Sequence, residues 1–136
     1  MGVTVVDAGV LIAFMDRSDV HYAAARLAVE GAKRSDDLVL PASAYAEILV
    51  LPHRLGADAV KRTDDFVEAL PARIEPISRT IAAGAAALRA RHGRKLKFAD
   101  ALVIATAQVL RADRILTTDR GWPAVEVPVE LVVAAA

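Results

Sequence analysis

Apolar positions dominate residues 97 to 110, K-F-A-D-A-L-V-I-A-T-A-Q-V-L, where Asp100 is the one ionised side chain after the opening lysine. Phe98, Ala101, Leu102, Ala105 and Val109 recur at the spacing of one helical face, and Val103, Ile104, Ala107 and Leu110 make the opposite face apolar too. The pattern predicts a helix packed on both sides. A carboxylate in such a helix is strongly disfavoured unless it is protonated, hydrogen-bonded or bound to a cation.

The same reading extends along the chain. V-T-V-V (3–6) is a β-branched run that predicts a strand ending at Asp7, and V-L-I-A-F-M predicts a first helix ending near Asp16. A second helix is expected over 21–34, followed by a strand at D-L-V-L-P that Pro41 closes. S-A-Y-A-E-I-L-V-L predicts a helix with Ser43 as N-cap and a break or kink near Pro52. Residues 57–70 form another amphipathic pattern, R-I-E-P-I reads as a strand, and Ser78 is placed to cap a helix that stops at Gly93. R-I-L-T-T (114–118) and V-E-V-P complete the strands, and the closing A-A-A is expected to fray. Short strands alternating with helices predict an α/β domain with a mainly parallel central sheet flanked by helices.

Composition narrows the class. With 136 residues, 55% hydrophobic and 25% charged, the chain is expected to fold as a single domain over 1–136. Its longest apolar runs are too short to span a bilayer, and the first residues lack a basic region followed by an apolar stretch and cleavage site, so a cytoplasmic location without membrane contact is expected. The absence of cysteine excludes disulfides, thiolate metal sites and cysteine nucleophiles. Seventeen acids balance seventeen bases, which argues against coating nucleic acid by net charge alone.

Asp100 is one of four oddly placed acids. Asp7 is the only ionised side chain among the first fifteen residues, Glu47 the only one between Asp37 and Arg54, and Asp119 follows an apolar strand directly. Each has an ordinary role available: Asp7 as an N-cap, Asp100 as a first-turn acid favoured by the helix dipole, Asp119 as a turn residue before Gly121. Glu47 has none, because the capping-box partner of Ser43 would be Ala46. Ligands of parallel sheets bind outside the carboxyl ends of strands, where Asp7 and Asp119 are expected. A shared cation accounts for all four at once.

Hard oxygen donors without imidazole or thiolate suit Mg²⁺ or Mn²⁺. His21, His53 and His92 are widely spaced and show no zinc pattern. A hydrated divalent cation held by carboxylates is what phosphodiester hydrolysis requires. Upstream of Asp100 lies R-A-R-H-G-R-K-L-K, whose Arg94, Lys95 and Lys97 are candidates to hold a polyanion's backbone beside that site, as nucleic-acid binding requires, although the same strip reads equally as a solvated helix end and loop. Tyr45 and Trp122 could stack on a base but are expected to pack in the fold.

V-V-D-A-G-V-L-I-A, A-S-A-Y-A-E-I-L, K-F-A-D-A-L-V-I-A-T-A and I-L-T-T-D resemble, in order, the four acidic motifs of PIN-domain nucleases, and the compact length resembles the VapC toxins of toxin-antitoxin pairs. The resemblance covers essentially the whole chain. It implies a PIN-like three-layer α/β fold and a Mg²⁺- or Mn²⁺-dependent endoribonuclease, a homodimer inhibited by a VapB-type antitoxin. Carried over by position, Asp7, Glu47, Asp100 and Asp119 form the catalytic quartet, with Asp7, Asp100 and Asp119 as metal ligands and Thr117 or Thr118 as the accompanying hydroxyl. The family often carries hydroxyl or amide residues after its first aspartate, whereas Ala8 and Gly9 stand here, which bears on the surroundings of the metal.

Other classes fit less well. A haloacid-dehalogenase-type phosphatase needs a second aspartate where Gly9 stands, and a receiver domain needs a lysine that T-T-D-R-G does not supply. No dinucleotide fingerprint, P-loop or nucleophile-elbow motif occurs. The remaining alternative is a catalytically silent PIN-like module that binds RNA or a protein.

Overall fold

The computed structural model describes residues 2–135. Five strands form one sheet: β1 (Gly2–Val6), β2 (Asp36–Pro41), β3 (Ala72–Glu75), β4 (Arg114–Thr117) and β5 (Val129–Leu131). Their spatial order is β3-β2-β1-β4-β5, and every neighbouring pair is parallel. The helices are α1 (Ala8–Met15), α2 (Tyr22–Ser35), α3 (Ala42–Leu55), α4 (Ala57–Ala69), α5 (Arg79–His92) and α6 (Phe98–Leu110), with a 3₁₀ turn at Gly93–Lys95. None of the described helices is long and apolar enough to cross a membrane.

A parallel sheet must be covered on both faces, and β1 shows this in sequence: Thr4, Val5 and Val6 are consecutive and all buried. The connections β1–β2 and β2–β3 advance in one direction across the sheet and β3–β4 returns in the other. Right-handed crossovers therefore put α1 to α4 on one face and α5 with α6 on the opposite one. The resulting α/β architecture has three layers. Helix α6 lies over β1, β2 and β4, and its Ala101, Val103, Ile104, Ala105 and Ala107 are buried. Its two ends do not follow the predicted face: Phe98 and Val109 are exposed, and the Arg89 guanidinium lies 4.7 Å above the Phe98 ring.

Several predicted boundaries move for identifiable reasons. Strand β2 runs directly into α3, so Pro41 takes the N-cap position and Ser43 falls inside the first turn. Helix α3 continues through Pro52 and ends at Gly56, whose φ of 127° favours glycine. The last strand follows Pro128 and does not include V-E-V-P: the Pro128 carbonyl accepts from Ile115 N at 2.9 Å, and pairing begins at Val129. Strand β3 starts at Ala72 and stops at Glu75, before Pro76. Near the carboxyl end, Ala134 is tied down by its N–H donating to His21 Nδ1 at 2.8 Å, while Ala136 of the predicted frayed end lies outside the described residues. Ser78 does cap α5, accepting from Ile81 N at 3.1 Å.

The amino-terminal end of the sheet is closed by a polar clasp. Asp113 accepts from Val3 N at 2.7 Å and its own N–H donates to Val3 O at 2.8 Å. Thr4 donates to Asp36 at 2.6 Å and accepts from Arg114 Nε at 3.1 Å, so its buried hydroxyl is fully used. The carboxyl-terminal end of the sheet is different, because there the acids collect.

Candidate functional site

The strand order reverses at β1: its chain successor β2 lies on one side and β4 on the other. The crevice at such a switch point, beyond the carboxyl ends of the strands, is where parallel sheets bind ligands. Asp7 follows the last residue of β1 and Asp119 follows β4 by two residues. Asp100 stands in the first turn of α6, and Glu47 one turn further into α3.

Asp7 is the most constrained of the four. Its N–H donates to Leu116 O at 2.9 Å, which extends the β1–β4 pairing by one residue. One carboxylate oxygen accepts from Ala8 N at 2.8 Å, and the other accepts from the Thr117 hydroxyl at 2.8 Å. Asp7 is thus the N-cap of α1, and the cap role leaves its carboxylate at the crevice. The Thr117 hydroxyl in turn accepts from Asp119 N at 3.1 Å, and Asp119 accepts from Gly121 N at 2.7 Å. A single hydroxyl on β4 therefore joins the two acids flanking the crevice.

Electrostatics brings the remaining acids into the same group. Burial pushes the Asp7 carboxyl up to about 6 against the lowering effect of its two hydrogen bonds, and Asp100 and Glu47 push it further in the same direction. Burial and then Asp119 raise Asp100, while Lys97 lowers it. Glu47 is largely exposed, yet partial desolvation and then Asp100 raise it as well, again opposed by Lys97. Acids from four separate segments thus feel one another. Among the described residues, however, no three acidic or imidazole side chains stand at the spacing of ligands around one ion.

The basic strip divides. Lys97, at the N-cap of α6, is close enough to act on both Glu47 and Asp100, whereas Arg94 and Lys95 are exposed in the 3₁₀ turn. Arg89 is a strut, donating to Gly93 O at 3.1 Å and Leu96 O at 2.6 Å and so fixing the turn that leads into α6. Tyr45 packs as expected, with its hydroxyl bonded to Asp64 on α4.

Two features of the site escaped sequence reasoning. Trp122 packs on the core with its indole N–H buried and without an acceptor at hydrogen-bonding geometry, yet near enough to Asp100 to lower its pKa. No sequence signal distinguished it from a packing tryptophan. Gly9 lies directly under Thr118, so that a side chain at position 9 would meet Thr118 Oγ1. The departure from the family pattern at Ala8 and Gly9 was the available clue.

The donor set, carboxylates with a neighbouring hydroxyl and no imidazole, fits Mg²⁺ or Mn²⁺. Such ions keep several waters and take one or two protein carboxylates directly, so a closed triad of protein ligands is not required. Asp7, Asp100 and Asp119 are the residues that would hold such an ion.

No curated protein matches the chain in sequence. Among solved structures, a toxin-antitoxin complex from Klebsiella pneumoniae shares its fold with 24% identity and a TM-score of 0.73, covering 97% of this chain and 99% of that one. VapC20 from Mycobacterium tuberculosis, described as a sarcin-ricin-loop-cleaving toxin, aligns with 18% identity and a TM-score of 0.66 over 82% of this chain and 86% of its own. VapBC2 from Rickettsia felis, solved bound to a promoter DNA fragment, aligns with 11% identity and a TM-score of 0.71 over 95% and 98% of the two chains. The family model for the PIN domain matches residues 4–128, and the chain belongs to the PIN-domain family.

Proposed function

We propose that this protein is a Mg²⁺- or Mn²⁺-dependent endoribonuclease toxin of the VapC type, a cytoplasmic homodimer held inactive by a VapB-type antitoxin. The observation that carries this reading is the gathering of Asp7, Glu47, Asp100 and Asp119, from four separate segments, at the switch point of a parallel sheet. Neighbouring structures that are toxin-antitoxin complexes support the partner, and one described as cleaving the sarcin-ricin loop supports RNA as substrate.

A divalent cation held by Asp7, Asp100 and Asp119 would lower the pKa of an attacking water and neutralise charge on the phosphate. The chain's own groups do the rest. Thr117 fixes the Asp7 carboxylate in one orientation and, through Asp119 N, the loop that carries the third ligand. Glu47, whose pKa is raised and whose side chain reaches solvent, is suited to take the proton from the water. Lys97 offsets the repulsion between Glu47 and Asp100, and with Arg94 and Lys95 presents a cationic strip to the RNA backbone.

The deciding experiment is cleavage of a structured RNA by the purified protein with Mn²⁺, with chelator, and with Asp100→Asn. Metal-dependent cleavage lost in the variant supports the reading. RNA or antitoxin binding without cleavage would favour a silent binding module.

A further inference from the structure

Asp119 borders a second concavity besides the acidic crevice. With Arg120, Trp122, Val125, Pro128 and Val129 it lines a cleft of about 530 Å³, within the roughly 300–1,000 Å³ of small-ligand sites. The turn between the acid and the cleft is short and fixed: Asp119 N donates to Thr117 Oγ1 at 3.1 Å, and Asp119 accepts from Gly121 N at 2.7 Å, one residue before Trp122.

Two features of the cleft have no use inside the protein. Between Pro123 and Pro128 the chain runs outside the sheet, and the main-chain N–H and C=O groups of Ala124, Val125 and Glu126 bond to none of the described residues. Such groups take their partners from water or from a ligand. Trp122 packs against the core yet stays partly exposed and lines the cleft. Aromatic surface next to free main-chain donors and acceptors is the combination that reads an unpaired base, which stacks on the ring and hydrogen-bonds along its edge. An apolar side chain from a protein partner would fill the same cleft but leave those peptide groups unpaired. Arg120, exposed beside Asp119, supplies a cation for the adjoining phosphate.

We propose that this cleft is a base-recognition subsite: one unpaired base of the RNA, next to the phosphate at the acids, enters it, stacks on Trp122 and is read by the main chain of Ala124 to Glu126. The proposal rests on the ribonuclease reading and names the part of the substrate that gives it selectivity. Trp122 is then a specificity-determining residue, and the acids are not.

The test uses a single-stranded RNA octamer spanning a cut mapped in the structured RNA, together with its eight single-abasic analogues, cleaved with Mn²⁺. Trp122 is the only tryptophan in the chain, so its fluorescence reports on the cleft. Loss of the base at one position beside the cut should lower kcat/KM about tenfold, the worth of one stacked base, and the other positions should matter less. In stopped flow, the intact octamer should quench Trp122 before it is cut, and the analogue lacking that base should not. Ala124→Phe, which fills the cleft from an exposed position, should cut the intact octamer about tenfold less efficiently and lose the preference for that base. Ala83→Phe, exposed on α5, should behave as wild type. The abasic series on wild type carries the test even where Ala124→Phe fails to fold. Wild type that cuts no RNA would overturn the ribonuclease reading and this proposal together. Cleavage with no abasic position singled out, with Trp122 unquenched, or with the preference intact in folded Ala124→Phe would overturn the subsite alone.

Discussion

Thr117 and Asp7, 110 residues apart in sequence, are joined by a 2.8 Å hydrogen bond from the threonine hydroxyl to the buried carboxylate. The bond stabilises the charged form of Asp7 and lowers a pKa that burial raises. Thr117→Val should therefore push the Asp7 carboxyl further above its value of about 6. It should also cost roughly 1–3 kcal/mol at neutral pH, because a buried ionised acceptor loses its partner. Urea unfolding and an NMR titration of the Asp7 side chain check both effects. An unmoved titration would mean that the bond contributes nothing to the charge state.

The pH dependence of metal-free stability has a definite sign. A carboxyl whose folded pKa is raised binds more protons folded than unfolded, so stability falls as pH rises through the interval between the two values. For Asp7 that interval runs from 3.8 to about 6, and the loss on passing through it is about 3 kcal/mol. Glu47 and Asp100 act in the same direction. Asp16 and Asp36 have lowered pKa values and act oppositely, with their contributions lost only as pH falls below the ordinary aspartate range. Stability should thus increase on acidification from neutrality to about pH 5, and Asp7→Asn should flatten that increase. A urea series at several pH values in chelator reads this directly.

Asp100→Asn should abolish cleavage while leaving metal-free stability unchanged or higher. The amide keeps the shape of the side chain and removes the charge that burial and Asp119 oppose. A loss of several degrees in melting temperature without metal would identify Asp100 as a structural first-turn acid.

Excess Mn²⁺ or Mg²⁺ should raise the melting temperature by mass action, with about 2.7 kcal/mol of stabilisation at a hundredfold excess over the dissociation constant. Asp7→Asn should remove most of this gain, and Asp37→Asn, at an exposed position on β2, should preserve it. Asp36 would be a poor control because it holds Thr4 and lies 3.7 Å from Arg114. The gain should fade with acidification, since carboxylates must ionise to ligate. Equal small shifts in all three proteins would argue that no cation site exists.

Arg94→Ala with Lys95→Ala should flatten the salt dependence of RNA binding and leave the acids unaffected, because both side chains are exposed in the 3₁₀ turn. Lys97→Ala should do more: removing the cation beside Glu47 and Asp100 should raise both of their pKa values. Fluorescence binding at several salt concentrations, paired with NMR titration, separates the two roles.

The four candidate acids stood out in sequence because a lone charge in an apolar run is costly, and that anomaly is visible without knowledge of the fold. The parallel sheet was legible from buried runs such as V-T-V-V. Less visible was whatever depended on contacts between distant segments. V-E-V-P alternates like a strand, but pairing starts at Val129 because the Pro128 carbonyl supplies the first bond to β4. Ser43 looked like a cap until β2 ran into α3 with no residue between them. The fit of Thr118 over Gly9 and the approach of Trp122 to Asp100 join segments far apart in the chain, which local patterns do not encode.

The central position of β1 bears on how this protein is made. Its two sheet neighbours, β2 and β4, both emerge later, and Thr117 follows Asp7 after about ten seconds of synthesis at ordinary ribosome speeds. Until β4 arrives, Asp7 has neither its hydroxyl partner nor Leu116 to receive its N–H, and Asp100 and Asp119 have yet to join it. A nascent chain stopped just short of β4 thus has Asp7, Glu47 and Asp100 but lacks Asp119 and the Thr117 hydroxyl. The four acids can therefore come together only once β4 and the two residues after it have been made, late in the translation of the domain.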